Sequence, residues 1–295
     1  MNFGSSTPKI LDAQGTWIVQ LVFQMTNVSF GTYRRLIQIN DGGSNQVDLR
    51  IFGGVGHELR VTRNGTTLAE TSGLNMAANT WYYIEFKVVI HNSTGSFEVR
   101  LNGVSKLSGS NVDTQNTGNA TADRIELCGS NDGPNVDTYI DDLIIMDGTG
   151  SVNNAFLGDY GVKIIRPDGA GNYSQWTPSA GSNYQNVDET LVDDDTTYNS
   201  SGTAAQKDSY TFSAVGETGG VAGIILLATM RKDDAGSRTA RQLTRVASTD
   251  YFGATESVLD SFQVHKQVQE TNPNTAAAWT VSEIDGAEFG VELVS

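Results

Sequence analysis

The chain has one cysteine, Cys128, so it must fold without an internal disulfide. Small secreted domains rely on such staples, and doing without them points to synthesis in a reducing cytosol. Basic residues are few, 19 against 34 acidic ones, which leaves a net charge of -15. That field repels phosphate backbones and anionic headgroups, so nucleic acid and the membrane surface are not expected partners. Long apolar runs are missing as well. The longest, residues 221–230, is about half of what a membrane-spanning helix needs, and it is expected to be a buried strand. The opening residues Met1 to Ser6 carry neither a basic flank nor an apolar stretch, so no secretory signal is expected. No heptad run appears, which leaves sandwich faces, edges and loops as the means of any assembly.

What remains is apolar material in a Gly-rich chain: 38% hydrophobic and 18% charged residues, with 32 glycines in 295 positions. Such a chain folds rather than staying disordered, and at about 100–200 residues per domain it predicts two domains. Its periodic segments alternate with period two, which predicts an all-β protein. Over residues 16–24, Trp17, Val19, Leu21 and Phe23 share one face. Over residues 81–90, Tyr82, Ile84, Phe86, Val88 and Ile90 face one way and Glu85 and Lys87 the other.

Two Asn-Gly pairs, Asn64-Gly65 and Asn102-Gly103, supply the positive φ angles of type I′ turns and predict hairpins 58–63/66–71 and 97–101/104–107. Further strands are expected at 124–128 and 138–146, after a loop at 108–121. The small polar residues 147–154 read as an exposed connection, giving domains at 1–150 and 156–295 that meet between about 147 and 158. In the second half, strands are expected at 160–166, 206–213, 221–231, 238–246, 259–270 and 288–294. Thr280-Val281-Ser282-Glu283 fits a capping box and predicts one short helix.

Residues able to carry chemistry are scattered. His57, His91 and His265 lie at no metal-ligand spacing from one another or from Cys128, which argues against a zinc or Cys-His site. Gly42-Gly43 and Gly53-Gly54 lack the following Lys-Ser/Thr of a phosphate loop. Asp193-Asp194-Asp195 reads as a solvated acidic turn. Asp141 and Asp142 alternate along a strand, so one of them needs a partner. Either a carboxylate accepts amides from a neighbouring loop, or Asp132 or Asp137 completes a Ca²⁺ site; no metal, cofactor or catalytic residue is assigned. Trp176, Trp279, Tyr173 and Tyr184 either stack on a sugar ring or belong to a core or contact. Arg231, Lys232, Arg238, Arg241 and Arg245 form the main basic concentration, suited to an acidic surface of another subunit.

The runs at 81–88, 95–103 and 139–145, a Trp-led strand, an Asn-Gly hairpin and an Ile-Asp-Asp strand in that order, resemble the laminin G-like, concanavalin A-like jelly roll. The second half, with Phe156-Leu157-Gly158-Asp159-Tyr160, the Tyr173–Pro178 stretch, Arg231-Lys232-Asp233-Asp234 and the stretch from Trp279, resembles a β-sandwich module of tailed-bacteriophage structural proteins that follows such a jelly roll.

The resemblance implies a non-enzymatic virion protein on the particle surface: a fibre, spike or decoration protein located in the virion. It would anchor to capsid or tail and bind host-surface glycans. Alternatives are a free carbohydrate-binding, lectin-like protein and a polysaccharide depolymerase. Hydrolases on this scaffold place an acid and a base on nearby strand positions. Here Glu85 is flanked by Tyr83 and Lys87, which departs from that pattern. By likeness to phage spikes a homotrimer is expected, joined through the second half with Ile224, Leu226, Arg238 and Arg241. The turns at residues 40–43, 53–56 and 131–135 would then face outward.

Overall fold

A computed structural model describes residues 12–54, 56–128 and 136–295. The chain divides into two compact units, Met1–Val162 and Lys163–Ser295. The expected turn at 131–135 and Asp132 lie outside the described residues, as do Met1 to Ser6.

Among the described residues the first unit has ten strands: β1 Thr16–Met25, β2 Tyr33–Asp41, β3 Ser44–Phe52, β4 Glu58–Arg63, β5 Thr66–Glu70, β6 Trp81–Val89, β7 Gly95–Leu101, β8 Val104–Val112, β9 Arg124–Leu127 and β10 Thr138–Asp147. They form two five-stranded sheets, ordered β10-β1-β6-β7-β8 and β5-β4-β3-β2-β9. Every pairing is antiparallel, and the first and last strands lie side by side, which closes the sandwich.

The Asn-Gly hairpins form as the residue types require: φ is 42° and 90° at Asn64 and Gly65, and 50° and 74° at Asn102 and Gly103. Alternation places Val19, Leu21, Phe23, Ile84, Phe86, Val88 and Val99 from one sheet against Ile37, Ile39, Val47, Leu49, Ile51, Leu59 and Val61 from the other, all buried in one cluster. Each such side chain contributes about 1.5–3 kcal/mol of transfer free energy. Of the pair β2–β3 the sequence marks only the turn expected at residues 40–43; Asp41 and Ser44 are the last cross-strand pair of that hairpin.

Residues 150–162 belong to the first unit and run across the outer face of its β10-β1-β6-β7-β8 sheet. Gln20 Nε2 donates to the Tyr160 carbonyl at 3.1 Å, Lys87 Nζ to the Asn154 carbonyl at 3.3 Å, and the Gly158 N–H donates to Glu85 Oε1 at 3.1 Å. The Phe156 ring lies 4.4 Å from the Arg100 guanidinium. This strap explains why Gln20 and Glu85 are buried although they point away from the core. The break between units therefore falls at Val162, after the polar stretch, which is spent on covering the sheet.

The second unit contains β11 Pro167–Ser174, β12 Thr177–Pro178, β13 Asn199–Ser200, β14 Lys207–Phe212, β15 Ile224–Met230, β16 Arg238–Val246, β17 Thr249–Phe252, β18 Glu256–Val258, β19 Gln263–Gln269, α1 Val281–Asp285 and β20 Glu288–Leu293. One sheet is ordered β11-β14-β20-β16-β17, with β18 also on β16; β15 and β19 form a separate two-stranded ribbon, and β12 pairs with β13. Val246, Trp279, Ile284, Ala287 and Phe289 form the core, with Ile224 and Leu226 packed against it. The capping box is complete: Thr280 Oγ1 accepts the Glu283 N–H at 3.2 Å and Glu283 Oε2 accepts the Thr280 N–H at 2.9 Å.

Three expectations fail. The loop expected at 108–121 starts only after Val112, because β8 continues its ladder with β7 to that residue. Residues 160–166 form no strand, because their amides meet side chains instead of a ladder: the Val162 N–H reaches Asp142 Oδ1 at 2.7 Å and the Arg166 N–H reaches Ser213 Oγ at 3.4 Å. The run at 221–230 forms β15 but is not buried. Ile225 is 60% and Leu227 68% exposed, because alternation turns Ile224 and Leu226 onto the core and leaves the opposite face of the ribbon with no layer packed on it among the described residues of the unit. No helix among the described residues is long and apolar enough to cross a membrane.

Candidate functional site

The outer face of the β5-β4-β3-β2-β9 sheet gathers polar side chains in rows. Along β3, Val47, Leu49 and Ile51 enter the core, so Asp48, Arg50 and Phe52 must face outward. Along β4, Leu59 and Val61 enter the core, which turns Glu58, Arg60 and Thr62 outward. In β2 the register shifts between Arg35 and Ile37. This bulge buries Leu36 and brings Arg35 opposite Arg50. Arg50 in turn pairs with Arg60, and Arg60 with Glu70. Three guanidinium-bearing residues thus stand in one row on adjacent strands about 4.8 Å apart. A second row runs Glu126, Gln38, Asp48, Thr62, Thr67, and a third Tyr33, Phe52, Glu58.

Like charges in such a row repel, and the surrounding groups offset this one by one. Asp48, fully buried, accepts Arg50 Nε and Nη2 at 2.8 Å each, Thr62 Oγ1 at 2.5 Å and Asn45 Nδ2 at 2.8 Å. Its hydrogen bonds raise the Arg50 guanidinium above its ordinary pKa. Arg60 pairs with Glu70 and lies 3.7 Å above the Tyr33 ring. The Tyr33 ring stacks on Phe52 with centroids 4.9 Å apart, and its hydroxyl donates to Glu58 Oε2 at 2.7 Å. Burial and that carboxylate hold the Tyr33 phenol well above its usual pKa. Arg35 has a neutral acceptor, Gln38 Oε1, and Gln38 Nε2 passes the chain on to Asn40 Oδ1 at 2.8 Å.

At the edge of this face, buried Gln46 fixes the 113–121 loop. Its Oε1 accepts the N–H groups of Asn116 and Thr117 at 2.5 and 3.0 Å, and its Nε2 donates to Thr117 Oγ1 and to the Asn119 and Thr121 carbonyls. The result is a rigid shelf of paired donors and acceptors, with about a quarter of the Arg50 and Arg60 side chains left accessible. Such a surface can exchange hydrogen bonds with vicinal hydroxyls without reorganising.

The residues singled out from sequence lie elsewhere. Asp141 is exposed and Asp142 sits at φ 50°, its Oδ1 accepting the Val162 amide of the strap. Among the described residues no three His, Cys, Asp or Glu side chains gather as metal ligands. His57 Nδ1 accepts the Met76 amide and His91 Nδ1 those of Ser93 and Thr94. Burial pushes the Cys128 thiol up to about 11. Trp279 is in the second core, and Trp176 donates Nε1 to the Gln206 carbonyl at 3.2 Å. The Tyr173 ring lies within 5.4 Å of Lys207 and Arg245, with its hydroxyl on Asp250, while Tyr184 belongs to a turn of 3-10 helix; among the described residues no ring contact joins any two of these four.

The basic concentration pairs with acids of its own unit: Arg231 with Asp195, Arg238 with Asp234, Arg241 with Glu292 and Arg245 with Asp250, while Lys232 Nζ donates to the Asp234 carbonyl. On the ribbon, Ile224 and Leu226 point inward. Their neighbours Ile225 and Leu227, with Val264 and Val268 on β19, make the exposed apolar face.

The first unit is therefore an antiparallel jelly-roll sandwich with a polar, hydrogen-bonded sheet face. No family model matches the chain, and neither does any curated protein. Among solved structures it is similar to the alginate lyase Aly36B at 13% identity, covering 45% of this chain and 70% of that one with a TM-score of 0.33. A heptameric SAP-like pentraxin from Limulus polyphemus is 16% identical over 49% of this chain and 73% of its own, TM-score 0.35. The galectin LEC-6 of Caenorhabditis elegans is 17% identical over 47% of this chain and 92% of its own, TM-score 0.30.

Proposed function

We propose that this chain is a non-enzymatic, glycan-binding component of a bacteriophage surface, a fibre, spike or decoration protein. Its jelly roll would meet host polysaccharide, and its second unit would hold it to capsid, tail or further copies of itself. The observation that carries the glycan reading is the registered row Arg35, Arg50, Arg60 beside the Asp48, Gln38 and Thr62 row. Its fixed, partly accessible donors and acceptors suit sugar hydroxyls. The virion reading is supported by the resemblance of both halves, in their order, to phage structural modules. Assembly through the second unit is supported by the apolar ribbon face, because monomeric proteins rarely leave such patches open. The ribbon's own Lys266 stands opposite Leu227 on that face, while Arg231, Arg238, Arg241 and Arg245 are already paired within the unit, so apolar contact would do most of the joining; three copies closed by a threefold axis would leave no growing end.

The non-enzymatic reading is supported by the carboxylates. Glu85 is buried under the strap and bound by the Gly158 amide, and Asp48 is occupied by four donors, so neither is free to act as acid or base. Retention of the purified chain on host capsule or lipopolysaccharide, together with an assay for new reducing ends, tests the proposal. Saturable retention with no release is expected. Chain cleavage, or no retention on any host polysaccharide, would overturn it.

A further inference from the structure

A second place in the molecule is built to hold something, in the second unit and independent of the glycan face. Strands β17 and β18 both pair with β16, but Gly253, Ala254 and Thr255 stand between them where β16 offers only Arg241 and Gln242. The extra residue makes a bulge, and beneath the β15–β19 ribbon it leaves a hollow of about 230 Å³ whose lining includes Met230, Ala240, Ala254, Glu256, His265 and Gln267. The ribbon rests on the sheet through polar groups: Gln242 Nε2 donates to the Leu226 and His265 carbonyls at 3.1 and 3.0 Å, and Gln269 Nε2 to Thr244 Oγ1 at 2.7 Å.

Two polar atoms of the lining are buried without a protein partner, His265 Nε2 and Gln267 Oε1. The His265 side chain is 9% exposed, and its other nitrogen, Nδ1, is 2.5 Å from Glu256 Oε2. Orphaned buried groups are rare and costly, and they call for a partner from outside the chain. Residues 265 and 267 share one face of β19, so their side chains start roughly 7 Å apart.

We propose that this hollow binds a neutral, hydroxyl-bearing small molecule no larger than one sugar ring, anchored by His265 and Gln267. The chemistry of the two orphans selects the class. Gln267 Oε1 only accepts, so the guest must donate. His265 Nε2 accepts when Nδ1 carries the ring proton toward Glu256, and donates when the ring is doubly protonated; a hydroxyl satisfies both states. Arg241 and Lys266 also line the hollow, but Arg241 is paired with Glu292, and Lys266 alternates with His265 and Gln267 along β19, which turns its side chain to the other face of the ribbon. An anion at the two orphans would meet the Gln267 lone pairs and a histidine beside the Glu256 carboxylate. A metal ion would find one nitrogen ligand, with no third His, Cys, Asp or Glu gathered there among the described residues. The volume lies below the ~300–1,000 Å³ of pockets for drug-sized ligands and fits a polyol or a single pyranose, with Met230, Ala240 and Ala254 as the apolar floor.

The test is nitrogen-15 NMR of the full chain labelled at histidine. The His265 ring signals are assigned with His265→Gln and titrated with glycerol and methyl glucoside, and separately with methyl glucuronoside and Zn²⁺. A saturable shift of the His265 ring with glycerol or methyl glucoside is expected, weakened on the order of tenfold by Gln267→Met, the factor for one lost hydrogen bond. Ala254→Leu, which fills the hollow, should abolish the shift while the remaining spectrum stays native; if that variant unfolds, the Gln267→Met comparison alone decides. No shift up to about 100 mM of either neutral probe, a concentration well above a millimolar Kd, would mean water only and overturn the proposal. So would a response to the glucuronoside or zinc alone, or neutral binding unchanged in Gln267→Met.

Discussion

Replacing Asp48 by alanine should cost the first unit far more than a typical surface change. The side chain is fully buried and accepts four hydrogen bonds, two from Arg50 and one each from Thr62 and Asn45. Removing it leaves Thr62, itself 2% exposed, without its acceptor and strips the counter-charge from Arg50. Breaking a buried pair costs about 3–5 kcal/mol. The Arg50 side chain is 28% exposed and can turn to water, which discounts the loss toward about 3 kcal/mol. For a unit of this size that lowers the melting temperature by roughly 6–12 °C. Calorimetry of the full chain is the assay, with the two units followed as separate transitions if they melt apart. Arg50→Ala and the double variant should show a coupling of about 1–2 kcal/mol. A loss below about 1 kcal/mol for Asp48→Ala would refute the reasoning, because it would mean that the carboxylate is solvated and the arginine row is not held from below.

Other outcomes follow from the second unit. Burial alone would raise the Asp250 carboxyl, but hydrogen bonds from Lys207, Arg245 and Tyr173 outweigh it and hold its pKa below the usual value. The stability it contributes is therefore complete above the unfolded pKa of about 4 and is lost as pH falls through the lower folded value, and denaturation followed between pH 5 and 2 should show that loss flattened in Asp250→Asn. Gly290→Ala would drive a Cβ into the Asp208 carbonyl of the neighbouring strand; a cost of about 3 kcal/mol or more is expected in urea titration, and near-native stability would contradict the tight β14–β20 approach. Ile225→Ser with Leu227→Ser should change monomer stability by no more than about 0.5 kcal/mol while abolishing self-association in light scattering; an oligomer that survives both changes would remove the ribbon from the interface.

Much of this fold was legible because local signals and tertiary demands agree. β1 and β6 alternate cleanly, the Asn-Gly pairs dictate their turns, β16 coincides with the expected 238–246, and Thr280 and Glu283 cap α1 as their spacing requires. The candidate site was not legible, and the reason is register. β2 and β3 are rich in Arg, Gln, Asn and Asp, and the bulge at Leu36, between Arg35 and Ile37, breaks the period that would have marked β2 as a strand. Three arginines far apart in sequence become neighbours only once three strands have paired, which no local window reports. Nor could it separate β15, apolar on both faces, from a fully buried strand, since the exposure of Ile225 and Leu227 reflects the lack of a second layer over that face of the ribbon. The polar residues 150–162 carry the composition of a linker, yet their carbonyls and amides are what Gln20, Lys87 and Glu85 need.

The central claim is that the arginine row of the first unit binds glycan. Its most direct test is the affinity of the full chain for a retained host polysaccharide, measured by surface plasmon resonance for the unaltered chain and for Arg35→Ala with Arg60→Ala. The account predicts saturable binding that weakens on the order of tenfold or more in the double variant, the loss of about two hydrogen bonds, with unchanged melting of the second unit. Binding of equal strength by both proteins would contradict it.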